Sequence, residues 1–268
     1  MSHVVIRSQD GALLAPDQEA IRGCVLAAHR VPAEADLLAF GFVTDHGHLV
    51  FAGPRPVVGE AVRRLELRLH HFVKLDACFE RARIWQVRDE FHLGAAAPYA
   101  KRQPLAHRNH RDRFWEGSSL HELLGLRPDL SRFRQRLFAI SPGRDLAWYA
   151  EQFEIEPRWL DDWAEPLVAL DHELWIEAVD ASLFTLPSRL RGRLARVASV
   201  NASPDPEIRN ELVERYRIPS RSVRRYRAEG THAEVARLVR RQYRFRAWRR
   251  EELAKVSKAA SGSGHEGR

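Results

Sequence analysis

Residues 37–52 read LLAFGFVTDHGHLVFA, and the folding of this stretch decides how the rest of the chain is understood. Leu37 to Val43 is an apolar run of strand length, and His48 to Ala52 is a second. The residues between them carry the turn composition TDHG, so the two runs predict a β-hairpin. In a strand, residues two apart project to the same face. His46 and His48, on the second arm, therefore present two imidazoles side by side. That arrangement suits a divalent metal, although two histidines at this spacing also arise often by chance.

The elements on either side complete a pattern. Residues 4–7 (VVIR) read as a short strand. Residues 16–31 follow helical spacing, with Ile21, Val25, Leu26 and Ala28 on one side and Asp17 near the start. Residues 57–73 carry Val58, Val62, Leu65, Leu67 and Phe72 among arginines, a second amphipathic helix whose Arg63, Arg64 and Arg68 suit either a DNA backbone or plain solvation. Ala82 to Val87 reads as another strand. Asp89 is a candidate N-cap for a helix running toward Gln103, with Gly94 and Pro98 as weakening residues. The order strand, helix, strand, strand, helix, strand, helix predicts an α+β fold: a ferredoxin-like antiparallel sheet with helices on one face.

After about residue 127 the strand signals stop, and an all-helical C-terminal region is expected. The chain divides on this reading into a domain over 1–127, a helical extension over 128–198, a basic helical region over 199–257 and a disordered tail over 258–268. The aromatic-rich stretches between Asp145 and Phe184 read as core. Residues 207–230, EIRNELVERYRIPSRSVRRYRAEG, read as helix, turn, helix, with Arg221, Arg224, Arg225 and Arg227 on the second helix. Such a pair suits a recognition helix in a DNA major groove, and equally a basic helix packed on its neighbour. In RRQYRFRAWRR, residues 240–250, Tyr243, Phe245 and Trp248 suit either base stacking or core packing.

Composition sets broad limits. The 268 residues carry a net charge of +7 and a sequence pI of about 9.9, so a polyanionic partner is the first expectation. No run approaches the roughly 18 apolar residues of a membrane helix, and the N-terminus lacks a signal-peptide core. No membrane partner and a cytoplasmic location are expected. Cys24 and Cys78 form no CxxC pair and read as reduced core thiols.

Two further pieces join the histidine pair. Tyr99 and Gln103, in YAKRQPL over 99–105, stand at i and i+4 and share a helix face. Trp115-Glu116-Gly117-Ser118-Ser119, followed by Leu124-Gly125, has the composition of a turn with an aromatic anchor.

Taken in order, these pieces resemble the REP-associated tyrosine transposases, a branch of the one-tyrosine HUH transposases. The family's HVxxRG strand is matched by His3 to Arg7. Its AYxxMPNHxHLLL hairpin is matched by Ala39 to Phe51, its YxxxNPxxAGL segment by Tyr99 to Leu105, and its WSSxxxxLG segment by Trp115, Ser118, Ser119 and Leu124-Gly125. The resemblance covers roughly residues 1–127. It implies that the protein binds single-stranded or hairpin DNA and cleaves and rejoins it, with Tyr99 as nucleophile and a 5′-phosphotyrosine intermediate. It further implies that His46, His48 and Gln103 hold Mg²⁺ or Mn²⁺. Lys101 and Arg102 would contact DNA beside Tyr99 and favour the phenolate. Arg81 and Arg83 would contact phosphate. Outside the resemblance, the helix-turn-helix reading makes Arg221, Arg224 and Arg225 candidate contacts to duplex DNA through the C-terminal region. The protein would act as a monomer or homodimer. The chain departs from the family at Asp45, Gly47, Gln103 and Pro98. Pro98 inside a helix costs about 3 kcal/mol and threatens to displace Tyr99. Two other readings stand beside this one: a domesticated DNA-binding protein with weakened or lost cleavage, and a metal-dependent protein unrelated to DNA.

Overall fold

A computed structural model describes residues 1–73, 78–106, 115–127, 133–140, 146–152, 171–185, 196–197, 205–228 and 233–262. It is α+β. Four strands, β1 (Ser2–Arg7), β2 (Leu37–Phe42), β3 (His46–Phe51) and β4 (Arg83–Gln86), form one antiparallel sheet in the order β2-β3-β1-β4. The hairpin closes where Val43 N donates to His46 O at 2.9 Å, so β3 begins at His46, two residues before the apolar run.

Helix α1 (Gln18–His29) follows β1, and its N-cap Asp17 accepts from Ala20 N at 2.8 Å. Helix α2 (Arg55–Val73) follows β3 and packs against α1. The two approach closely at Gly23, where a Cβ would stand 2.8 Å from the Phe72 carbonyl oxygen. On α2, Arg63 and Arg64 are ion-paired with Glu60 at 2.9 and 2.7 Å, the pattern of a solvated helix face.

The sheet has two different faces because β1 alternates. Val4 and Ile6 are fully buried, while His3, Val5 and Arg7 point the other way with partial or full exposure. Leu49 pairs with both Val4 and Phe40, and the Phe40 ring lies 6.3 Å from His29 of α1. α1 therefore covers the Val4 face. Helix α3 (Glu90–Ala106) packs on β2 and β3, and its Tyr99 ring lies 5.3 Å from His48, on the opposite face. Helices thus pack on both faces of the sheet, where the sequence predicts them on one. The apolar stripe of α3 (Leu93, Ala96, Ala97, Ala100) is itself buried and needs a surface.

Gly47 shows how tightly the hairpin is filled. It faces away from the two histidines, as alternation requires. A Cβ there would meet the Phe42 ring at 2.6 Å and Ile6 at 3.3 Å. The fully buried Phe42 ring occupies the space that a side chain at position 47 would take.

The 115–119 segment lies along β2, the sheet edge. Phe42 N donates to Gly117 O and Ser119 N to Phe40 O, both at 2.9 Å, and Trp115 Nε1 donates to Phe42 O at 2.7 Å. The aromatic anchor expected there is present, and it occupies an edge that would otherwise expose unpaired backbone. Below it, buried Glu122 holds His29 at 2.6 Å and ties α4 (Leu120–Leu123) to α1.

The chain divides into two compact units, Met1–Gly125 with Asp129–Asp161, and Leu126–Pro128 with Asp162–Arg268. The first extends past the expected boundary at 127 and takes in α5 (Phe133–Ala139) and α6 (Leu146–Gln152); Arg136 of α5 is ion-paired with Asp36. In the second unit, α7 (His172–Leu183), α8 (Pro206–Arg215), α9 (Ser220–Ala228) and α10 (Ala233–Gly262) follow. Trp175 is fully buried there among Ile208, Leu212, Val239 and Tyr243. Of the three aromatic residues in the 240–250 segment, Tyr243 and Phe245 are core residues and Trp248 is half-buried. α10 continues to Gly262, past Lys258 where a tail was expected, because Lys258, Ala259 and Ala260 are good helix formers. Among the described residues after Arg127, every regular element is a helix, and no described helix is long and apolar enough to cross a membrane.

Cys24 is a buried thiol as expected, and burial pushes its pKa up, whereas Cys78 is exposed and not a core residue. In the native state a disulfide thiol reagent is expected to modify Cys78 rapidly and Cys24 only on unfolding, which a thiol titration with and without denaturant measures. Gly47→Val is expected to destabilise the fold by about 1–3 kcal/mol in urea unfolding through overpacking. Phe42→Leu in the same chain should recover part of that loss, giving a coupling of about 0.5 kcal/mol or more in a double-mutant cycle. Strict additivity would show that the Phe42 ring is not what excludes a side chain at 47.

Candidate functional site

The open sheet face carries a cleft of about 260 Å³, lined by Val5, Arg7, His46, His48, Glu80, Arg81, Arg83, Trp85 and Tyr99. Strand register brings these residues together. Val5 pairs with His48 on one side and Arg83 on the other, Arg7 pairs with His46, and His3 pairs with Trp85. Partners across a ladder share a face, so β1, β3 and β4 each contribute side chains to one surface. The volume falls just below the roughly 300–1,000 Å³ of enclosed small-molecule pockets. Three guanidinium groups against one carboxylate make its wall basic.

The His46 and His48 rings stand 5.0 Å apart, and both side chains are buried. Each has its Nδ1 engaged: His46 Nδ1 with Asp45 Oδ1 at 2.7 Å, and His48 Nδ1 with His3 Nε2 at 3.0 Å. A carboxylate can only accept, so His46 Nδ1 carries the proton and Nε2 becomes its coordinating nitrogen. Partial burial pushes the Asp45 carboxyl up, but its hydrogen bond to His46 and the charges of His46 and Arg7 outweigh this and hold it below its ordinary value. Burial, with the charge of His92 adding to it, pushes His3 down, favouring the neutral ring that can accept from His48. This is the outer-shell arrangement that orients histidine ligands toward a metal. Among the described residues, no three His, Cys, Asp or Glu side chains gather as a metal-binding group, so the histidines stand as a pair.

Tyr99 reaches the same place from α3. Its ring meets His48 edge-on at 5.3 Å and His3 at 6.2 Å, and the side chain is half exposed. Asp89 caps the start of the helix, accepting from His92 N at 2.7 Å. Pro98 is buried inside a continuous helix and does not carry Tyr99 out of the cleft.

Five of the residues singled out from sequence thus line one cleft: His46, His48, Tyr99, Arg81 and Arg83. Gln103, Lys101 and Arg102 lie on the last turns of α3, and their side chains fall outside the described residues. Arg221, Arg224 and Arg225 are exposed on α9 in the second compact unit. Sequence reasoning assigned no site role to Arg7, Glu80 or Trp85. Trp85 was within reach of strand alternation, standing two residues after Arg83. Arg7 required the β1–β3 register, which is a tertiary fact.

No protein-family model, curated protein or solved structure matches this chain.

The Asp45 contact makes the His46 tautomer measurable. Long-range ¹⁵N–¹H spectra of the metal-free protein are expected to show His46 protonated on Nδ1. Asp45→Ala should shift it toward the Nε2-protonated form that a free imidazole prefers, while the sheet amide shifts stay in place. An unchanged tautomer would mean that Asp45 does not set it.

Proposed function

We propose that this chain is a transposase-like DNA-strand-transfer enzyme, in which single-stranded or hairpin DNA lies along the cleft and Tyr99 cleaves and rejoins it. One observation carries this reading: a half-exposed tyrosine stands edge-on to a buried histidine pair in a cleft walled by Arg7, Arg81 and Arg83. Supporting it are the element order and the strand order β2-β3-β1-β4, which a ferredoxin-like sheet of this connectivity has. The resemblance of residues 1–127 to one-tyrosine HUH transposases points the same way.

The donor set agrees with a divalent ion. His46 and His48 would hold it through Nε2, with the Gln103 amide as the expected third ligand. Two imidazoles suit Mn²⁺ better than Mg²⁺, which prefers oxygen ligands. When bound, such an ion supplies positive charge that polarises a scissile phosphate. The chain's own residues do the rest. Arg7, Arg81 and Arg83 hold backbone phosphates on either side of the cleavage point. The Tyr99 hydroxyl oxygen attacks phosphorus in line with the 3′ oxygen, and the P–O3′ bond breaks as the new P–O bond to Tyr99 forms. The phenol gives up its proton and the departing 3′ oxygen takes one up, leaving a 5′-phosphotyrosine and a 3′-hydroxyl. No phosphoester is lost in the exchange, so attack by a 3′-hydroxyl on the phosphotyrosine rejoins the strand.

The test is a denaturing protein gel of the full chain with labelled hairpin DNA from the flanks of its own gene, in Mn²⁺. A slow covalent band is expected that disappears in Tyr99→Phe and with chelator. Arg81→Ala and Arg83→Ala are each expected to flatten the salt dependence of binding by about one unit of slope. Tight binding without a band would replace this reading with a DNA-binding protein that lacks cleavage. Neither binding nor a band would sink the DNA reading of the cleft.

A further inference from the structure

The second compact unit carries a separate basic surface. Tyr216 to Pro219 join α8 to α9. Arg217 in this turn has the left-handed φ of 49°, and Ile218 is driven inward to pack with Val197 and Tyr226. Tyr226 is 5% exposed and fixes the rotation of α9 about its own axis. A helix turns about 100° per residue, so Arg221, Arg224 and Arg225 share roughly a third of its circumference; Arg221 and Arg224 lie away from Tyr226, and Arg225 borders it, with its guanidinium 5.0 Å from the Tyr226 ring centroid. All three are exposed, as are Arg217 and Arg227, and no acidic residue occurs between Arg217 and Ala228.

Three neighbouring arginines of the unit are ion-paired. Arg215 is paired with Asp180, Arg246 with Glu177 and Arg250 with Asp171. Among the described residues, Arg217, Arg221, Arg224 and Arg227 have no carboxylate partner. A concentration of cationic side chains without internal counter-charges is stabilised by an external polyanion.

The aromatic residues indicate which polyanion. A surface for single-stranded nucleic acid combines positive charge with rings on which unpaired bases stack. The exposed aromatic rings among the described residues are Trp85 (46%), Phe91 (83%) and Tyr99 (49%), all in the first unit. In the second unit Tyr226, Tyr243 and Phe245 are buried and Tyr216 and Trp248 half-buried, and α9 itself carries no exposed ring. That chemistry suits a duplex, whose bases are already stacked. The B-DNA major groove, about 12 Å wide, admits an α-helix, whereas the A-form major groove of RNA is too narrow for one to be read.

We infer that α9 is a duplex-DNA-binding helix that enters the B-form major groove, with Arg221, Arg224 and Arg225 on phosphates and base edges. The inference stands apart from the Tyr99 chemistry, because duplex affinity is measurable whether or not cleavage occurs. The experiment compares the full-length protein with an R221Q/R224Q/R225Q variant, over a salt series, on a blunt DNA duplex, an unstructured DNA single strand and an RNA duplex. The variant is expected to lose about tenfold or more in DNA-duplex affinity, and its log K against log salt should flatten by about three units, roughly 0.9 per phosphate contact. Its single-strand affinity should be unchanged, and R221Q/R224Q, which leaves the Arg225–Tyr226 contact in place, should keep the wild-type melting temperature. A wild-type protein that ignores the DNA duplex would overturn the inference, as would a variant that binds it undiminished. Equal losses on duplex and single strand would show a general charge effect instead, and equal wild-type affinity for the RNA duplex would exclude the major-groove mode.

Discussion

The register of β1 is the constraint on which the first unit depends. This strand lies between β3 and β4, and its side chains alternate between a sealed face and an open one. Val4 and Ile6 enter the core while His3, Val5 and Arg7 face the cleft. A slip of one residue against either neighbour would reverse every side chain, burying a guanidinium and exposing two aliphatic residues. Burying an unpaired charge costs several kcal/mol, and each aliphatic side chain withdrawn from the core forfeits about 1.5–3 kcal/mol. The same alternation that stabilises the sheet therefore aligns His46, His48, Arg83 and Trp85 on one surface.

Around that alignment, polar groups are placed so that their hydrogen bonds have direction. Asp45 and His3 each engage one Nδ1, orienting both rings of the histidine pair. Elsewhere in the unit, two further polar contacts have this character: Glu122 with His29, and Trp115 Nε1 with the Phe42 carbonyl. The 115–119 segment thereby covers the free edge of β2 while its indole locks the end of the hairpin. Departures that looked damaging in the sequence are accommodated by packing. Phe42 fills the space above Gly47, and α3 continues through Pro98 with Tyr99 still in the cleft.

The second unit solves its problem differently. Its core is built from helix faces around Trp175, and Arg215 of α8 and Arg246 of α10 are matched with carboxylates of α7. α9 is the departure from that pattern, with its buried Tyr226 setting which face the arginines occupy.

The sequence by itself determined the elements and much of the site. Apolar runs and turn residues located the 37–52 hairpin, Asp17 and Asp89 marked helix starts, and two-residue spacing put His46 and His48 on one face. Each of these is a local property of backbone geometry. Only the tertiary structure decided that β1 lies between β3 and β4, that Arg7 and Trp85 share the cleft, that α3 covers the face opposite α1, and that Tyr243 and Phe245 are core and not surface. Those facts rest on which strands pair and which helix faces meet. They are set by the burial of residues far apart in the chain, and periodicity within a single segment carries no record of that.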